Sequence, residues 1–313
     1  MAPHDMAQAD DPKADPRFDA LRDSLRGERP RAAGTWGYFT LGDGARAFME
    51  QWLPQGPPSR VVLCFHGMAA HGRVFAILAD ALVPRDTGVV ACDMRGHGLS
   101  DGTRGDIADP RRLVADARQV YAAVRAQVPT TPLFTLGESL GGALNANLLM
   151  AGPRGLRGAV FVAPAIAPVL RPPGPQALLI PAYALAAILA PRARIVAISG
   201  QEHRGSDNTL HVAYDRNDPL HLKTACMRYM RGAKRLMDTA RDQAPETVRG
   251  PALVFQGGSD AAVRPDVTKN FFDALRTRDK TLKFYEHGKH CLMTDRVHGP
   301  LVFSSLIHWL EQH

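Results

Sequence analysis

Three side chains far apart in the chain, Ser139, Asp260 and His290, have the types and surroundings of a nucleophile, an orienting acid and a general base. Ser139 stands in Gly137-Glu138-Ser139-Leu140-Gly141, a G-x-S-x-G pattern preceded by the apolar run LFTL and followed by the helix-forming GALNANLLM. In that context the serine occupies a strained strand-to-helix turn, and the two glycines keep side chains out of the space where strand and helix nearly touch. A serine hydroxyl is a weak nucleophile at neutral pH, so the reading requires a base and something to orient it. ALVFQGGSD delivers Asp260 into a loop after one apolar run, and LKFYEHGKH delivers His290 after the next. The order serine, acid, histidine suits acyl transfer on such a turn.

Competing residues are less well placed. Asp266 follows Pro265 at an expected helix start, where a carboxylate stabilises the first turn, and Asp273 and Asp279 lie in or after that helix. His298, His308 and His313 belong to a terminal helical stretch, and His287, directly off the strand end, is the second choice of base. The stretch VVLCFHGMAAHG sets His66-Gly67-Met68 just beyond another apolar run. A loop there bends over the serine, so the backbone N–H groups of Met68 and Leu140 are the expected oxyanion donors, each contributing about 3 kcal/mol to the transition state. His66 is expected to brace this loop by hydrogen bonding.

These residues need a scaffold that brings several strand ends to one edge. Apolar runs rich in β-branched and aromatic residues recur at 61–65, 89–92, 133–136, 159–162, 252–255 and 282–285. They are continuous, as in strands covered on both faces. Helix-like stretches separate them: HGRVFAILADALV, DPRRLVADARQVYAAVRAQ and GGALNANLLMA. The alternation predicts an α/β fold with a mostly parallel, doubly wound sheet, preceded by an antiparallel edge hairpin from TWGYFT and RAFMEQWLP. The rhythm breaks between 165 and 249, where no strand is evident and PLHLKTACMRYMRGAKRLMDTARDQ reads as helix, so this segment is expected to be an inserted helical cap. The core then comprises 34–164 and 250–313, and the polar residues 1–33 form a flexible arm without the apolar region of a secretory signal.

The balance of charges is +7, with a pI of about 9.5. The basic residues are scattered, and DPRR (109–112) and RGAKR (231–235) are too short, and too poor in aromatics, to track phosphates, so nucleic acid is not an expected partner. Four cysteines, Cys64, Cys92, Cys226 and Cys291, form neither a disulfide framework nor a metal pattern. A cytoplasmic protein without metal or other cofactor is expected. The apolar stretch 177–190 carries Pro181 and is too short to span a bilayer; it packs on the cap or touches a membrane surface transiently.

Taken together, these motifs resemble the α/β-hydrolase superfamily, and within it the monoacylglycerol lipase and lysophospholipase-like group, over roughly residues 35–312. CDMRGHGLSDG (92–102) resembles that group's D-x-R-G-H-G-x-S-x-G loop, with Asp93, Arg95 and His97 as bracing residues, and NDPL (217–220) resembles a segment near the end of its cap. The resemblance implies a serine esterase acting on a monoacyl lipid ester whose chain lies beneath the cap. It also makes His66, Gly67, Ala70 and Glu138 candidate substrate-contacting residues. The group's H-G-x-G-E-H appears here as His66-Gly67-Met68-Ala69-Ala70-His71, so Ala70 replaces an acid, and Arg73 sits one place early. Glycerol is therefore the least supported part of the implied substrate. The same constellation would serve on a thioester, an amide or a carbon–carbon bond, and a noncatalytic ligand-binding protein could keep the fold.

Overall fold

Almost every residue of the central strands is buried, which requires layers on both sides of the sheet. The computed structural model describes residues 34–168, 180–198 and 205–313. The expected arm at 1–33 lies outside the described residues. The strands are β1 (Thr35–Thr40), β2 (Arg46–Trp52), β3 (Arg60–Phe65), β4 (Thr87–Cys92), β5 (Leu133–Glu138), β6 (Leu156–Val162), the short β7 (Val196–Ala197) and β8 (Thr224–Ala225), β9 (Ala252–Gly257) and β10 (Lys280–Tyr285). Eight of them form one sheet in the order β1-β2-β4-β3-β5-β6-β9-β10. From β4 to β10 every pair is parallel, and β1 and β2 form the antiparallel edge.

One face is covered by α2 (Pro110–Gln127), α3 (Leu140–Met150), α6 (Met227–Thr247) and α7 (Pro265–Ala274), the other by α1 (Ala76–Leu82) and α8 (His298–Gln312). Both layers pack large apolar side chains against the strands: Leu63, Phe65 and Phe161 on the first, Val62, Phe134 and Phe255 on the second. The pairing register sets Phe65 beside Gly137, Glu138 beside Val162 and Gly257 beside Tyr285. The carboxyl ends of the strands therefore share one edge, where the loops carrying His66, Ser139, Asp260 and His290 emerge.

Three local expectations are revised. HGRVFAILADALV is not one helix: 3₁₀ turns at Gly72–Phe75 and Val83–Arg85 flank α1. β10 is an edge strand and none of its residues is buried, although its apolar run resembles the central strands. The segment after residue 165 does contain strand, because β7 and β8 pair antiparallel. That pairing delays the start of α6 to Met227, where the Cys226 sulfur accepts the Tyr229 N–H. Two further helices among the described residues, α4 (Ile180–Leu189) and α5 (Thr209–Asn217), lie in the segment between β6 and β9. No helix among the described residues is long and apolar enough to cross a membrane.

A buried ion pair ties the segment between β6 and β9 to the loop after β3. His71, after β3, lies 2.7 Å from the carboxylate of Asp218, after α5, and both side chains are almost wholly enclosed. Burial opposes the charge on His71, but the Asp218 carboxylate outweighs it and holds the imidazole above its ordinary 6.5; burial likewise opposes charge on Asp218, and His71 holds its carboxyl below 3.8. The two shifts stabilise the fold over different ranges. The His71 contribution is full below pH 6.5 and is lost as pH rises through the raised value, while that of Asp218 is lost only as pH falls through the lowered one. His71→Gln strands a buried carboxylate and should cost about 3 kcal/mol. Thermal melts of wild type and variant from about pH 5 to about pH 9 should show the gap narrowing at the alkaline end; a constant gap would contradict this account of the pair.

Candidate active site

Ser139 links β5 to α3 with φ 52° and ψ −118°, a conformation that costs a non-glycine residue free energy. Packing enforces it. A Cβ at Gly137 would meet the Gly141 carbonyl oxygen at 2.3 Å, and one at Gly141 would meet the Phe65 carbonyl oxygen at 2.0 Å. The glycines thus permit β3, β5 and α3 to touch backbone to backbone. The Ser139 carbonyl accepts the N–H groups of Gly142 and Ala165, which fixes the turn on both sides.

The side chains of Ser139, His290 and Asp260 are brought together. Ser139 Oγ lies 2.9 Å from His290 Nε2, and His290 Nδ1 lies 2.8 Å from Asp260 Oδ2. Asp260 is an acceptor only, so Nδ1 carries the proton and Nε2 faces the hydroxyl as acceptor. The other Asp260 oxygen accepts the Ala262 and Val263 N–H groups at 2.8 and 3.0 Å. Burial raises the proton affinity of Asp260, but His290 and these amides overcome it and keep the carboxyl below 3.8. Burial depresses His290, yet Asp260 more than compensates, and the imidazole stays above 6.5. The competitors lie elsewhere: Asp266 pairs with Arg264 on the exposed start of α7, and His287 is exposed.

The loop after β3 lies against this constellation. A Cβ on Gly67 would sit 3.2 Å from Ser139 Cβ, a tighter contact than most Cβ atoms make, so a side chain here would press the loop a few tenths of an ångström away from the serine. The Met94 N–H donates to His66 Nε2 at 2.9 Å, leaving His66 Nδ1–H to donate to the Gly67 carbonyl at 2.9 Å. His66 is therefore neutral, and burial holds it well below 6.5. In a planar trans peptide the Met68 N–H points opposite to the Gly67 carbonyl, so His66 fixes the direction of that donor. Leu140, the second expected donor, is the first residue of α3. Glu138 adjoins the site, where burial raises its carboxyl to about 7 against the pull of His290.

Asp93, Arg95 and His97 all brace. The Asp93 carboxylate accepts the Gly72 and Leu99 N–H groups, Arg95 pairs with Asp116 and Asp43, and His97 bonds the Arg95 carbonyl and the Tyr229 hydroxyl. Ala70 brings no polar group to the loop, and Arg73 is committed to an ion pair with Glu50 of β2. Two supports have no counterpart in the motif reading. The segment between β6 and β9 grips the His290 loop, since the Cys291 N–H donates to the Gly205 carbonyl, Lys289 pairs with Asp207, and Asn208 Nδ2 donates to the Thr294 carbonyl. Gln256 Nε2 donates to Asp260 Oδ2 at 3.2 Å. Both depend on contacts between segments far apart or on the curl of one loop, and neither residue type announces them.

Comparison with known proteins agrees with this architecture. The chain is 29% identical over 267 residues to a mouse monoglyceride lipase, covering 85% of this chain and 86% of that protein. It is 24% identical over 286 residues to a monoacylglycerol lipase of Mycolicibacterium smegmatis, covering 86% and 94%. The fold is that of a soluble variant of Saccharomyces cerevisiae monoglyceride lipase solved with a substrate analog, with a TM-score of 0.79 at 19% identity over 91% of this chain and 97% of that one. Residues 56–297 match the serine aminopeptidase, S33, family, and the chain thus belongs to that family of α/β-fold hydrolases.

Proposed function

We propose that the protein is a serine carboxylic-ester hydrolase acting on a monoacyl lipid ester, with Ser139 as nucleophile, His290 as general base and acid, and Asp260 as the residue that orients His290. The observation that carries this reading is the continuous hydrogen-bonded chain from Ser139 Oγ through the imidazole to a buried carboxylate. His290 Nε2 takes the hydroxyl proton as Ser139 Oγ attacks the ester carbonyl, and the imidazolium that forms is steadied by Asp260. The Met68 and Leu140 N–H groups bind the oxyanion. His290 then returns the proton to the departing alcohol, and water repeats the cycle on the acyl-enzyme to release the acid.

A lipid acyl chain is favoured by the relatives' substrates and by the apolar surface of the inserted segment. On α4, Leu185, Ile188 and Leu189 are exposed, beside Arg192 and Arg194, a pattern suited to brief contact with a membrane surface from which a lipid is drawn. The alcohol is a different matter. With Ala70 apolar and Arg73 held by Glu50, this part of the loop offers glycerol no acid or guanidinium, so discrimination in favour of glycerol esters should be weak. The same machinery would cleave a thioester or an amide presented in the same pose.

Ser139→Ala should lower turnover of monoacylglycerols and short nitrophenyl esters by about a million-fold and abolish labelling by a fluorophosphonate probe. Undiminished turnover would reject the nucleophile, and a wild-type chain that the probe never labels would favour a noncatalytic binder. Because His290 must be neutral to accept the proton, kcat/KM should rise with pH through an acid limb above 6.5. Asp260→Asn removes the charge that raises His290, so its residual activity should show that limb at lower pH. Ala70→Glu should increase the preference for monoacylglycerols over plain alkyl esters about tenfold; an unchanged ratio on a substrate panel would remove Ala70 from the account of specificity.

A further inference from the structure

Gln256 is wholly buried near the end of β9, four residues before Asp260. Its Nε2 donates to the Gly257 carbonyl at 3.0 Å and to Asp260 Oδ2 at 3.2 Å. Both partners can only accept, so the orientation of the amide is fixed. That orientation leaves Oε1 buried without a partner among the described residues. A buried unpaired oxygen costs free energy that an apolar side chain of the same shape would avoid, so filling space does not account for an amide here. The oxygen that Gln256 contacts is the one that also receives the His290 Nδ1–H at 2.8 Å. Asp260 Oδ1 is occupied by the Ala262 and Val263 amides, and the carboxylate is thus enclosed by four donors.

We infer that Gln256 is a positioning residue of the hydrolytic site, which locks the Asp260 carboxylate in plane and shares its Oδ2 with His290, limiting how strongly the acid draws on the imidazole. This rests on the role proposed for Asp260. A hydrogen bond to a carboxylate stabilises its charge and takes up part of its field. Without that donor, Oδ2 would serve the imidazolium alone and His290 would hold its proton more tightly. Among the described residues, the other titratable groups around the pair include Glu138 at the end of β5 and the Cys291 thiol, which burial keeps protonated. Both are unchanged in a Gln256 variant, so the comparison isolates the amide.

The test is kcat/KM against pH for a short nitrophenyl ester with wild type, Gln256→Met and Asp260→Asn. Gln256→Met keeps length and apolar volume without the donor, and its acid limb should move upward by about half a pH unit, a threefold gain in proton affinity. An unmoved or lowered limb, with the plateau reduced or not, would overturn the inference and leave Gln256 a packing residue. Asp260→Asn separates the two ideas: if it retains full activity and an unchanged profile, the role of Asp260 fails first, whereas a crippled Asp260→Asn beside an unshifted Gln256→Met defeats only the role of Gln256. Should Gln256→Met not fold, the wild-type protein labelled with ¹⁵N-glutamine gives the answer. The Gln256 side-chain amide resonances should shift as His290 titrates, and resonances insensitive to pH across the acid limb would overturn the proposal.

Discussion

The backbone contact between β3, β5 and α3 is the constraint on which the rest of the site depends. Gly137 and Gly141 let carbonyl oxygens approach to distances that any side chain would block, and that closeness forces Ser139 into its positive φ. The strain is sustained by a sheet whose central strands are buried on both faces, so relaxing the turn would mean parting packed layers. The turn sets the Ser139 hydroxyl within hydrogen-bonding distance of His290, at the start of α3. Loops from β3, β9 and β10 can reach that point because the parallel register brings their ends to the same edge.

Electrostatics follow from the burial this packing imposes. His66 and His97, enclosed without a carboxylate partner among the described residues, are held neutral and serve as hydrogen-bonding struts. His71 and His290, enclosed with Asp218 and Asp260, are pushed toward the charged form. One residue type thus does two kinds of work within a few residues of one loop. The difference is set by which carboxylate the fold brings within 3 Å, and His71 uses it to bind the segment between β6 and β9 to the loop after β3.

The segment between β6 and β9 is tied down on two sides. Asp218 and Leu222 hold it to the loop after β3, where Leu222 N–H donates to the Ala69 carbonyl, and Gly205, Asp207 and Asn208 hold it to the loop carrying His290. Asn208 caps α5 with its oxygen while its amide nitrogen reaches Thr294, so the start of that helix and the position of the His290 loop are coupled through one side chain. The exposed apolar residues of α4 lie in the same segment.

Much of this was written in local patterns. The strands at 61–65, 133–136 and 252–255 are continuous apolar runs because they are covered on both faces, and the glycines around Ser139 mark a turn that other residues cannot make. Asp260 stood out from Asp266 because its place off a strand end differs from that of a helix-start carboxylate, and the two indeed lie in different settings, one buried against His290 and one exposed beside Arg264. What sequence could not supply was pairing across distance. The apolar run of β10 looks like that of a central strand, and only the strand order makes it an edge; β7 and β8, two residues each, carry no periodicity to detect. The partner of His71 lies 147 residues away, and the amide of Gln256 meets Asp260 only because the loop after β9 curls back. Hydrophobic period and turn chemistry are local properties that the chain states outright, whereas hydrogen bonds between buried side chains are decided by the packing of whole layers.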